Sequence, residues 1–186
     1  LSVPGRFVKD SVLHRMMFDY PDEVIAHRLD LDTSGLLVLA LSKSAVKDLN
    51  RQFRDRVVEK KYLADVWEHL SVVQGQIDLP IRPDPDNRPR QMVDHESGKA
   101  ASTLFEVVEH GHQRTRLKLR PITGRSHQLR IHLASISHPI LGCDLYAHEQ
   151  AFKAADRLML HANYLAFSHP LTAEPIEFYS TGMLGH

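Results

Sequence analysis

The sequence predicts an α+β domain built on a mainly antiparallel sheet. Segments with two-residue periodicity cluster along the chain without the regular strand–helix–strand alternation of a parallel sheet. Two of them, Thr103 to Val108 and Thr115 to Leu119, are joined through His110-Gly111-His112, which is hairpin spacing. Helical spacing is confined to a few separate stretches.

Along the chain, Leu36 to Leu41 is an unbroken apolar run and reads as a strand. Ser42 is placed to cap a following helix, in which Ala45, Val46, Leu49, Gln52 and Phe53 recur at helical spacing. Lys61 to Trp67 alternates as a half-buried strand. Residues 80–91 hold four prolines (Pro80, Pro83, Pro85, Pro89) among charges and read as an irregular loop. From Ser126 to Ser137, Leu129, His132, Leu133 and Ile136 mark one face of a helix. A short helix near Gln150 to Ala155 then precedes two strands, at Leu160 to Phe167 and Ile176 to Tyr179.

With 186 residues the chain fits one domain, and no internal boundary stands out. Its apolar content of 42% and charged content of 25% are those of a soluble globular protein. No apolar run approaches membrane-spanning length. The single cysteine, Cys143, excludes an internal disulfide framework and suits a reducing cytoplasm. The chain begins at Leu1 without an initiator methionine, so an upstream segment is expected. Net charge is zero, yet His110 to Cys143 contains no acidic residue. Basic residues cluster at 51–61, 82–90 and 114–120, and such stretches can present a positive surface to a polyanion.

The most chemically dense segment is His27-Arg28-Leu29-Asp30-Leu31-Asp32-Thr33-Ser34-Gly35. Its two carboxylates admit three chemistries. A calcium loop of the EF-hand type needs a glutamate at its twelfth position, and counting from Asp30 that position is Leu41. A magnesium-dependent phosphatase of the haloacid dehalogenase type needs its apolar strand before the carboxylates, whereas here it follows them. The third chemistry uses Asp30 alone, ionised and steadied by arginine, as nucleophile or base. A turn whose Asp and Thr side chains only bond nearby backbone is the structural alternative. Thirteen histidines invite a metal site, but no ligand set emerges, and His127 and His132 are five apart.

The stretch from His27 through Ala40 resembles the HRLDxxTSGLLxxA signature of RluA-type pseudouridine synthases. Lys60-Lys61-Tyr62 is similar to that family's KxY strand, and Gly124-Arg125-Ser126-His127-Gln128-Leu129-Arg130-Ile131-His132 to its GRxHQxRxH segment. His138-Pro139-Ile140-Leu141-Gly142, Tyr146 and Leu160-His161-Ala162 follow in the family's order. Where the family has Gly-Asp-x-x-Tyr, this chain reads Gly142-Cys143-Asp144-Leu145-Tyr146, with the aspartate displaced by one residue. No role is assigned to that position, and Cys143 is expected to be a small packed residue.

The resemblance implies a pseudouridine synthase fold, a mainly antiparallel mixed sheet flanked by helices and loops around a catalytic cleft. Residues 1–186 would form a single catalytic domain whose initial strands lie upstream. The implied activity is isomerisation of specific uridines in structured RNA, in a tRNA anticodon stem-loop, a large-subunit ribosomal RNA stem-loop, or both. No cofactor is implied. Asp30 is the implied catalytic carboxylate, acting on the ribose carbon or on a ribose proton. Tyr62 is expected beside the uracil, Arg125 as the partner of Asp30, and Leu129 packed against the base. Arg28 is expected to stack in the gap left by the flipped nucleotide. RNA is the implied partner, with no membrane, no obligate protein partner and a monomeric state. The alternatives are an RNA-binding or RNA-folding protein without catalysis and, more remotely, a magnesium-dependent phosphatase using Asp30 and Asp32.

Overall fold

The computed structural model describes residues 12–16, 20, 24, 25 and 29–181. Its elements run, in chain order, α1 (Val12–Met16), β1 (Val24–Ile25), β2 (Ser34–Gly35), β3 (Leu39–Ala40), α2 (Lys43–Arg54), β4 (Glu59–Trp67), β5 (Gln74–Asp78) and β6 (Ile81–Pro83). Then follow β7 (Gln91–Val93), β8 (Ser102–Gly111), β9 (Arg114–Pro121), α3 (Gln128–Ser135), α4 (Glu149–Lys153), β10 (Leu160–Ser168) and β11 (Pro175–Tyr179). The described residues divide into two compact units. One draws on Leu1–Lys60 and Ala162–Thr181, the other on Lys61–His161. The expected α+β composition with mainly antiparallel pairing is what the elements show.

In the first unit, Ser42 caps α2 as expected, its side chain accepting the Ala45 N–H at 3.2 Å. Ala45 and Leu49 are buried with Ala40, and Val46, Phe53 and Phe167 pack around them. Gln52, also buried, ties the helix to β10 through both amide atoms. Its Nε2 donates to the Ser168 carbonyl at 2.7 Å and its Oε1 accepts the Ser168 N–H at 2.9 Å. The apolar run at 36–41 is not one continuous strand. Only Leu39–Ala40 pairs, with Ile25 and Val24, while Ser34–Gly35 pairs with β10. Gly35 has φ +107, a conformation outside the β region, and this interrupts the extended backbone before the run begins.

In the second unit, β9 lies between β4 and β8, and β5 pairs with β8. Tyr62, Ala64 and Val66 sit opposite Leu119, Leu117 and Thr115, so these side chains share one face of the sheet. Ala64, Val66, Leu117 and Leu119 are wholly buried and form a core with Leu129 and Leu133 of α3. The β8–β9 hairpin is longer than its sequence pattern. Its strands continue to Gly111 and from Arg114, so the turn falls at His112-Gln113, with a bulge between Val107 and Glu109.

The proline-rich segment at 80–91 is not an irregular loop. It belongs to a small hairpin, Ile81–Pro83 against Gln91–Val93, with a cis peptide at Arg88–Pro89. The segment's prolines leave only three-residue strands, because each proline removes a ladder donor. Helix α3 is also shorter than the expected span from Ser126 to Ser137. His127 and Ser137 adopt left-handed backbone angles, φ 54 and 67, which stop the helix at both ends.

Candidate active site

Asp30 opens a hydrogen-bonded turn in the first unit. Its carbonyl accepts the Thr33 N–H at 3.1 Å, and Asp32, the third residue of the turn, has φ 69. Aspartate tolerates this left-handed position better than most residues. The two carboxylates are therefore structurally unequal. Asp32 is exposed and shapes the turn, whereas Asp30 is half-buried at its start. The turn leads into Gly35, whose close approach to β10 is sealed by the Leu36 N–H donating to the Ala162 carbonyl at 2.9 Å. Arg28 and His27 lie outside the described residues.

Tyr62, Arg125 and Leu129 belong to the second unit. Tyr62 is half-buried on β4, opposite Leu119, and packs against the core. Just before it, burial lowers the pKa of the Lys60 ammonium, which lies 5.8 Å from the Phe53 ring centroid in the first unit. Arg125 lies four residues beyond the end of β9, in the loop that enters α3. Its Nε donates to the Ala100 carbonyl at 3.2 Å, and its own carbonyl accepts the Gln128 N–H at 3.2 Å. Leu129, 7% exposed, is a member of the hydrophobic core.

The helix following Arg125 buries more than the one face expected. His132 is buried with Leu129 and Leu133 as its spacing predicts, but Gln128 and Arg130 are as buried as they are. Burial of polar groups demands hydrogen-bond partners, and each has them. Gln128 Oε1 accepts the Arg125 N–H at 3.0 Å and the Thr123 hydroxyl at 2.7 Å. Its Nε2 donates to the Ser102 carbonyl at 2.8 Å and to Thr103 Oγ1 at 3.0 Å. His132 spans Thr103 Oγ1, 2.9 Å from Nδ1, and the Leu79 carbonyl, 3.0 Å from Nε2. Burial lowers the His132 pKa. Sequence reasoning passed over Gln128 and Thr103. The available signal was a glutamine within the arginine-bearing segment at an otherwise core-facing stretch.

Arg130 explains the displaced aspartate. Its guanidinium pairs with Asp144 and donates to Cys143 Sγ from Nε at 3.3 Å and from Nη2 at 3.2 Å. Cys143, 1% exposed, is thus the packed residue expected of it. Arg130 and Arg90 both approach the Tyr146 ring, at 5.5 and 5.8 Å from its centroid. The Tyr146 hydroxyl accepts the Gln91 N–H at 2.8 Å and bonds His127 Nδ1 at 2.8 Å, so it joins the small hairpin to the start of α3.

Several cations of the basic stretches are engaged by local carboxylates. Arg114 and Arg116 converge on Asp65, which is wholly buried, at 2.6 to 2.9 Å. The side chains of Arg114, Arg116, Lys118 and Arg120 also occupy the face of β9 opposite to Leu119, and hence opposite to Tyr62. Arg82 pairs with Asp94, Arg51 with Asp48 and Arg54 with Asp55. Among the described residues, no group of three or more His, Cys, Asp or Glu side chains is placed to hold a metal ion.

Comparison with known proteins places this geometry in a family context. A family model described as RNA pseudouridylate synthase matches residues 19–135. The dual-specificity RNA pseudouridine synthase RluA of Yersinia pestis is 50% identical over 181 residues, 96% of this chain and 88% of that protein. The corresponding protein of Escherichia coli (strain K12) is also 50% identical, over 96% of this chain and 83% of its own length. Among solved structures, human RNA Pseudouridylate Synthase Domain Containing 1 superposes with a TM-score of 0.81 at 31% identity, covering 91% of this chain and 73% of that one. Human RNA Pseudouridylate Synthase Domain Containing 4 shares the fold, with a TM-score of 0.72 at 24% identity over 91% of this chain and 76% of its own.

Proposed function

The chain belongs to the RNA pseudouridylate synthase family, and we propose that its isomerase chemistry runs on Asp30, Tyr62 and Arg125. The reaction breaks the N1–C1′ bond of a uridine, rotates the uracil and rejoins it through C5. Product and substrate are isomers, so atoms balance without a redox or energy cofactor.

The observation that carries the assignment of Asp30 is the inequality of the two carboxylates. Asp32 is exposed at the left-handed position of the turn, and Asp30 is the half-buried one. Asp30 acts on the ribose carbon as nucleophile or on a ribose proton as base. Arg125 is its proposed partner and orients it, since a guanidinium can hold a carboxylate by charge-assisted hydrogen bonds. Tyr62 lies beside the uracil, and its hydroxyl assists removal of the C5 proton. Leu129 supplies apolar surface against the base. The target nucleotide leaves its stack for C1′ and C5 to be reached, which costs a few kcal/mol, roughly, and Arg28 fills the gap by stacking.

The proposed substrates are a tRNA anticodon stem-loop and a similar stem-loop of large-subunit ribosomal RNA. The supporting observation is 50% identity over 96% of the chain to enzymes named for dual specificity. The protein acts as a monomer in the cytoplasm, and the exposed Lys118 and Arg120 are left for phosphates that run along the opposite face of the sheet.

Release of tritium from RNA labelled at uridine C5 tests the assignment. The wild-type protein should release tritium in the presence of EDTA, and Asp30→Ala should abolish release while RNA binding survives. Release that persisted in Asp30→Ala would remove Asp30 from the mechanism. Release that stopped with EDTA would instead favour metal-dependent chemistry.

A further inference from the structure

We propose that Thr103 and His132 are positioning residues for Arg125, acting through the side-chain amide of Gln128. This role rests on Arg125 being the partner of the catalytic carboxylate. Every hydrogen bond in the buried chain has an assignable direction.

The Leu79 carbonyl can only accept, and it lies 3.0 Å from His132 Nε2, so the proton of the neutral ring sits on Nε2. His132 Nδ1 is then an acceptor, and the Thr103 hydroxyl, 2.9 Å away, must donate to it. With its proton so used, Thr103 Oγ1 accepts, and Gln128 Nε2 donates to it at 3.0 Å. The same nitrogen gives its second proton to the Ser102 carbonyl at 2.8 Å. The amide is therefore held with its oxygen on the opposite side. That oxygen accepts the Arg125 N–H at 3.0 Å and the Thr123 hydroxyl at 2.7 Å, and Thr123 in turn accepts the Ser102 N–H at 2.9 Å.

Turning the amide over would set an NH2 group against the Arg125 N–H and its oxygen against the Ser102 carbonyl. Both contacts would be repulsive, in a region where Gln128 is 3% exposed and Thr103 and His132 are wholly buried. A carbonyl 53 residues from the histidine thus acts with the Ser102 carbonyl to fix the amide that pins the Arg125 backbone. Among the described residues, no other side chain holds that N–H. Groups displaced by about 1 Å from a productive geometry can lose roughly 100-fold in rate, which is why a remote hydroxyl can matter to turnover.

The experiment measures kcat and KM for tritium release from unmodified tRNA labelled at uridine C5, with Thr103→Val, Thr103→Ser, Arg125→Met and the Thr103→Val/Arg125→Met pair. Thr103→Val keeps the shape and removes the hydroxyl. It should lower kcat on the order of 10- to 100-fold with KM unchanged, and Thr103→Ser should recover most of the rate. The double variant should be no slower than Arg125→Met, because Thr103 acts through Arg125. Wild-type kcat in Thr103→Val, or losses that add in full, would overturn the proposal while leaving the role of Arg125 intact. Full activity in Arg125→Met would remove the premise and the proposal together. The histidine tautomer supplies a check that needs no variant. Long-range 15N–1H correlation on the wild-type protein should show His132 protonated at Nε2, and an Nδ1–H tautomer would overturn the proposed chain.

Discussion

Gly35 and Ala162 approach so closely that a Cβ on Gly35 would lie 2.2 Å from the Ala162 carbonyl oxygen and 2.7 Å from its nitrogen. The obstructing atoms are backbone, and Gly35 has φ +107, so neither partner can yield by a rotamer change. Gly35→Ala should destabilise the protein by about 3 kcal/mol or more, read as a lowered urea midpoint. Gly111→Ala is the control. Its nearest obstruction is the flexible Arg114 side chain, and it should cost under about 1 kcal/mol.

Tyr62→Phe separates the ring of Tyr62 from its hydroxyl. If the hydroxyl assists removal of the C5 proton, kcat for tritium release should fall by about 10²- to 10⁴-fold with KM for RNA nearly unchanged. Tyr62→Leu, which also removes the ring, should weaken RNA binding in addition. An undiminished kcat in Tyr62→Phe would leave the proton step to another group.

Asp65 is the pivot of a buried ion cluster. It is wholly buried and accepts from Arg114 Nη1 at 2.6 Å and from Arg116 Nε and Nη2 at 2.7 and 2.9 Å. The Arg116 side chain is only 13% exposed, and its pKa is raised, chiefly by the hydrogen bond to Asp65. Asp65→Asn would leave that guanidinium without its buried counter-charge, with only the exposed Glu109 nearby. The expected loss is about 3–5 kcal/mol, measured by denaturant unfolding at neutral pH. A loss below about 1 kcal/mol would mean that Glu109, 3.4 Å from Arg116, suffices as a partner.

Stability should fall on mild acidification because of two histidines. Burial lowers the pKa of His132 below the ordinary 6.5, against an opposing pull from Asp78. Burial also lowers that of His161, with Arg157 adding to the effect. The unfolded chain takes up these protons near pH 6.5 while the folded protein resists them. The contribution is therefore fully present above pH 6.5 and is lost progressively as pH falls toward the depressed folded-state values. Urea midpoints between pH 7.5 and 5 should drop, and His132→Gln should flatten the slope. A midpoint independent of pH over that range would contradict the burial of neutral imidazole.

Local signals in this chain are legible where the determining partners are close in sequence. Ser42 and Ala45 are three residues apart, and the cap they form was legible as a serine preceding a helical pattern. The β8–β9 hairpin announced itself by alternation on both sides of a tight connection, although its strands run further than the pattern. The hairpin in the proline-rich segment is not legible, because it pairs residues around prolines and leaves no alternation long enough to detect. The apolar run at 36–41 suggests a longer strand than forms, since the extended backbone is interrupted at Gly35 by its φ of +107 and not by any polar residue.

The turn at Asp30 shows the same division. Sequence alone points to Asp30, Tyr62 and Arg125 as a candidate set, through motifs that resemble one family, and the family those motifs indicate is the one the chain belongs to. It also favoured Asp30 over Asp32, but the basis for that choice is conformational: Asp32 takes the left-handed turn position and lies in solvent. Only tertiary structure decided the fate of the polar residues on α3. Gln128 and Arg130 are not among the residues that mark the apolar face of the helix, yet both are buried. Their partners at Thr103 and Cys143 lie 25 and 13 residues away. Periodicity reports which residues share a face of their own element. It carries no information on whether a distant strand or loop will cover the other face and supply the hydrogen bonds that burial requires.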